Sequence, residues 1–143
     1  MKRYVIFAVV GPFFGGFWLL LTTTLMSGYL HQAGYAEIGK LIAVFFKTLQ
    51  YSYLFGLLPA LMLAAIDDIL WHVKRITPAL RVLLIGLIAF VATELMYGSR
   101  GPESGVLQFI MYGLVGFIPA TLASALAHRF ADEQQKAVPA GTK

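Results

Sequence analysis

Two charged residues stand inside stretches that otherwise read as hydrocarbon: Lys47 in "AVFFKTLQYSY" (43–53) and Glu94 in "AFVATELMY" (89–97). An ionised side chain in a bilayer core costs about 2.5–3.5 kcal/mol on insertion scales, and an opposite charge at low dielectric recovers part of that. Counted in helical rises from the ends of their apolar runs, the two fall at similar depth, so the sequence predicts that they pair. Gln50 lies one turn from Lys47 on the same helical face. Gln108, Thr22, Thr23, Thr24 and Thr93 fall in the corresponding halves of their own segments, and the other halves are nearly free of such groups. Lys47, Gln50, Glu94 and Gln108 are therefore the candidate intramembrane polar site. A hydrogen-bonded plug that fixes helix register is one use for it; an outward-facing site for a partner, a small solute or an ion is another. Snorkelling competes for Lys47, whose long stem can carry the ammonium to the headgroups.

Other chemistry is thinly represented. The chain has no cysteine, which excludes disulfides, thiolate metal sites and cysteine nucleophiles. Asp67 and Asp68 could hold magnesium–diphosphate in principle, but no further acidic ligand follows at helical spacing. The sequence favours a solvated helix end there, paired locally with His72, Lys74 and Arg75. His31, His72 and His128 lack the rest of a ligand set. Neither a nucleophile with an adjacent base nor a phosphate-cradling loop is present. The expectation is a protein without catalytic residues, cofactor or metal.

The elements that must position these residues are membrane helices. Hydrophobic residues make up 59% of the 143 and charged ones 13%, with a mean hydropathy of +0.76, too apolar for a water-soluble domain of this size. Four segments, about 4–29, 41–66, 78–97 and 105–128, are each long enough to cross a core of about 30 Å. They are too long and too few for a barrel, so the fold class is an all-α membrane protein with four transmembrane helices in a bundle. One domain over 1–136 and a flexible cytoplasmic tail over 137–143 are expected. The positive "MKR" start resembles a secretory n-region, but the apolar run that follows is too long for a cleaved signal and is expected to remain as the first helix. Thr77 before Pro78 reads as a helix N-cap, and Ser104 as a cap for the fourth segment.

Charge sets the expected orientation. Lys2, Arg3, Lys74, Arg75, Arg81, Arg129, Lys136 and Lys143 fall on one side, and only Lys40 and Arg100 on the other. The positive-inside rule then makes both termini cytoplasmic in a cell (inner) membrane. Tyr4 and Trp71 would belong to the inner aromatic belt, with Tyr29, Tyr35 and Tyr97 in the outer one. The formal charge of +4 is dispersed along segment ends without interleaved aromatics, so no nucleic acid is expected as partner.

"FGLLPALMLAAI" (55–66) aligns with "VGFIPATLASAL" (115–126) at a constant offset, matching Gly56 with Gly116, Pro59 with Pro119 and Ala60 with Ala120. This partial internal repeat suggests two helical hairpins. Gly56, Ala60 and Ala64, and likewise Gly116, Ala120 and Ser124, are small-residue stripes that allow close helix approach; Gly11 and Gly15 offer the same in the first segment. Segments two and four are expected to pack on each other along these stripes. Pro12, Pro59 and Pro119 are candidate bends. The composition and patterns point first to a non-catalytic accessory or assembly component, associating with the lipid bilayer and with itself or another membrane protein. A small-solute or ion transporter or channel using Lys47 and Glu94 is the alternative.

Overall fold

In a computed structural model, residues 1–28, 35–73, 75–98 and 105–132 are described, and all the regular structure among them is helical. Helix α1 spans Lys2–Met26, α2 Tyr35–His72, α3 Pro78–Thr93 and α4 Val106–Ala127. The last two continue as single π-helical turns, Glu94–Gly98 and His128–Asp132. All four helical runs are long and apolar enough to cross a membrane, so the chain is an all-α, multi-pass membrane protein.

Local chemistry explains several boundaries. Pro78 supplies a preset φ at the first position of α3, and Thr77 caps it by accepting a 3.3 Å hydrogen bond from the Leu80 amide. Gly105 precedes α4 without a side-chain cap, and Ser104 lies outside the described residues. So does the expected tail over 137–143. Pro12, Pro59 and Pro119 all lie inside helices that run on past them. The largest departure from the sequence reading is α2. It begins at Tyr35 and runs on to His72, 38 residues or about 57 Å, because charged Glu37 and Lys40 pair with each other on its first turns and Asp67 is drawn into the bundle at its other end.

Packing follows chain order. α1 lies along α2, α3 lies along α4, and the two hairpins join chiefly through α1 and α4. The small stripes consequently face different neighbours from those expected. A Cβ on Gly11 would come 3.0 Å from the Ala60 methyl, and one on Gly56 3.2 Å from Pro12, both between α1 and α2. A Cβ on Gly116 would run into the Ala89 carbonyl, between α3 and α4. A Cβ on Gly15 would come 3.9 Å from the Pro119 ring, where α1 meets α4. The expected seam between α2 and α4 is only a minor contact, made where Ser124 meets Asp67, while Gly56 and Gly116 each face a neighbour within their own hairpin. The buried core is small side chains around Phe7 and Ile85, with Ala64, Ala89, Ala120, Ala123 and Ala127, as suits association by close van der Waals approach.

Candidate functional site

The face of α2 that carries Ala60 and Ala64 reaches Asp67 one turn later, and Asp67 is completely buried. On α1 the same spacing runs from Phe7 back to Arg3, and on α3 from Ile85 back to Arg81; both arginines are buried too. Arg3 Nε lies 3.3 Å from Asp67 Oδ2, and Arg81 Nε lies 3.4 Å from Oδ1. These are ion pairs by distance more than aligned hydrogen bonds. Ser124 Oγ on α4 donates a 2.6 Å hydrogen bond to Oδ1. Arg3 Nη1 donates to the Asp67 carbonyl at 3.2 Å and to Asp68 Oδ1 at 2.9 Å. The Trp71 ring sits 5.5 Å from the Arg3 guanidinium carbon and 5.3 Å from that of Arg81.

One carboxylate thus ties all four helices at the end where α1 begins. Two guanidiniums face two carboxylates, so the cluster is formally neutral, which is what allows charges to stand out of water. This corrects the reading of Asp67 as part of a solvated helix end, whereas Asp68 keeps a partly exposed side chain. Asp68 takes its hydrogen bond from Arg3, and His72 Nδ1 donates to the Asp68 main-chain carbonyl at 2.8 Å. Trp71 is likewise a platform for two cations.

The expected Lys47–Glu94 pair is not formed. Lys47 is exposed on the outside of α2, and Gln50 beside it is exposed as well. Counted from Asp67, Lys47 lies about 30 Å along α2, whereas Glu94 lies about 20 Å beyond Arg81 along α3. That distance is about the thickness of a hydrocarbon core, ~30 Å, within which the long stem of Lys47 can carry its ammonium towards headgroups. Glu94 stays inside, 8% exposed, and neither carboxylate oxygen has a hydrogen-bond partner among the described residues. Its side chain lies against the Gly113 backbone in the seam between α3 and α4. One turn below it Phe90 meets Phe109 edge to face at 5.7 Å, and one turn above it Tyr97 stacks on Tyr112 at 6.4 Å. Gln108 is half-buried one helical turn before Tyr112.

The threonines do not build a shared cavity with these residues. Thr23, Thr24 and Thr93 each bond a carbonyl one turn back in their own helix. Thr22 is buried without a partner for its hydroxyl among the described residues, as is the Trp18 indole nitrogen. A crevice of about 340 Å³ opens between α1 and α2 at the far end, walled by Leu20, Thr23, Thr24, Ser27, Glu37 and Lys40. None of Lys47, Gln50, Glu94 or Gln108 lines it. Glu37 and Lys40 close a 2.8 Å ion pair at its edge. His31 lies outside the described residues, as do Lys74, Arg100 and Glu103.

No curated protein and no solved structure matches the chain. A family model does, over residues 1–133, which is nearly the whole length. The chain therefore belongs to a family of unknown function, DUF5413.

Proposed function

We propose that this protein is a non-catalytic component of a cell (inner) membrane, with both termini cytoplasmic, that assembles laterally with a second copy of itself through the outward face of α2. The observation that carries this reading is Gln50, an amide exposed on a lipid-facing surface. It stands in line with Lys47, Tyr51, Leu54 and Leu58, all of them exposed. Gln50 lies about 25 Å along α2 from Asp67, still within the apolar layer, where lipid offers it no hydrogen bond. An amide is both donor and acceptor, and copies inserted the same way round meet at equal depth. A two-fold contact therefore lets each Gln50 satisfy the other, while Lys47 turns to the headgroups. The orientation rests on the bias of lysine and arginine towards the end where α1 begins. A path built on a Lys47–Glu94 site has no geometric support, since the two side chains do not meet.

The chain's lack of cysteine makes the test clean. Gln50→Cys in native membranes is expected to give a disulfide-linked dimer on mild oxidation, and Val91→Cys, exposed on α3, is expected not to. Equal cross-linking at both positions, or none at Gln50→Cys, refutes the proposed contact.

A further inference from the structure

Glu94 is unlike the other buried acid. Asp67 has two guanidiniums and a hydroxyl around it, whereas Glu94 has aromatic rings a turn away on either side and a glycine backbone in front. The elements packed about it bring no basic group. Among the described residues of α3 and α4, Arg81, His128 and Arg129 lie at the opposite end, and the titratable neighbours of the seam are the phenols of Tyr97 and Tyr112. On α1 the bases are Lys2 and Arg3, also at the opposite end; on α2 Lys47 is exposed, Lys40 pairs with Glu37 at 2.8 Å, and His72 lies at the opposite end. An ionised carboxylate placed there would have the Gly113 backbone beside it but no cation from any described residue, at a cost of several kcal/mol.

We propose that Glu94 is a proton-binding site within the α3–α4 seam, the proton serving as the counter-charge that none of the described side chains provides. The reaction is a single transfer: a carboxylate oxygen accepts a proton from water and returns it to water, with no other bond made or broken. Access comes through the π-helical turn that begins at Glu94. Its i→i+5 hydrogen bonding is less regular than the α-helix on which it follows, and turns of this kind are commonly found at working sites. The inference stands apart from self-assembly through α2, which uses another helix and another face.

A hydrophobic carbodiimide distinguishes the states, because it adds across a protonated carboxyl buried in the membrane and leaves an ionised one. In vesicles of the full chain, peptide mass spectrometry is expected to find Glu94 modified at least about tenfold faster than ion-paired Asp67. Infrared spectra of the same vesicles are expected to show a protonated-carboxyl carbonyl band that Glu94→Gln removes. The mapping on the unmodified chain needs no variant, so a poorly folding Glu94→Gln does not blunt the test. Modification confined to Asp67 and Asp68, with Glu94 untouched, overturns the proposal. So does protection of Glu94 by sodium or potassium salts, which would make the counter-charge a metal cation.

Discussion

Arg3 holds Asp67 twice across 64 residues of sequence, through its Nε at the side-chain carboxylate and through its Nη1 at the main-chain carbonyl. Both contacts are buried, so removing the guanidinium leaves the cluster one positive charge short, with only Arg81 and Ser124 on the Asp67 carboxylate. Arg3→Met is expected to destabilise the folded bundle by about 3–5 kcal/mol, read from denaturant or thermal unfolding in mild detergent. Arg3→Lys should recover little of this, because one ammonium cannot occupy the positions of both Nε and Nη1.

Ser124 contributes a hydrogen bond to the same carboxylate from the fourth helix. Ser124→Ala keeps the small residue that the α4 packing needs and removes only the donor. A loss of about 1.5–3 kcal/mol is expected, the range for a hydrogen bond to a charged group. A neutral result in the same unfolding assay would mean that the hydroxyl does not reach Asp67.

Two glycine substitutions should part company. At Gly116 a methyl would press on the Ala89 carbonyl and the Thr93 hydroxyl, whereas at Gly39 it would meet nothing within 4 Å. Gly116→Ala is expected to cost about 1–3 kcal/mol by forcing α3 from α4. Gly39→Ala, exposed on a helix, should be neutral or gain up to about 1 kcal/mol in helix propensity.

Because Lys47 and Glu94 do not touch, neutralising them should be additive. The double variant Lys47→Met/Glu94→Gln is expected to differ from the sum of the single variants by less than about 0.5 kcal/mol in unfolding free energy. A coupling well above that would restore the pair that the sequence suggested.

Four helices and the all-α class are legible in the sequence because lipid burial forces apolar runs of membrane-spanning length, and the Thr77–Pro78 start of α3 is a local signal that needs no tertiary information. The charge sites are harder. Lys47 and Glu94 looked level only because α2 was expected to begin near residue 41; its start at Tyr35 and the inward reach of Asp67 move the depth scale. The Asp67 cluster was hidden behind two sound rules, that acids end helices and that bases mark one side of the membrane. A signal for it is present all the same. Asp67 continues the Ala60–Ala64 face, and Arg3 and Arg81 each stand four residues before a buried core residue, Phe7 and Ile85. The pairing of stripes could not be read, because small residues license close approach without naming the partner helix.

The account depends most on the buried carboxylate of Asp67 joining the hairpins. A double-mutant cycle between Arg81→Met and Asp67→Leu, followed by reversible unfolding in detergent, measures that link directly. A coupling energy of at least about 2 kcal/mol is the expected result. Additivity within about 0.5 kcal/mol would contradict it.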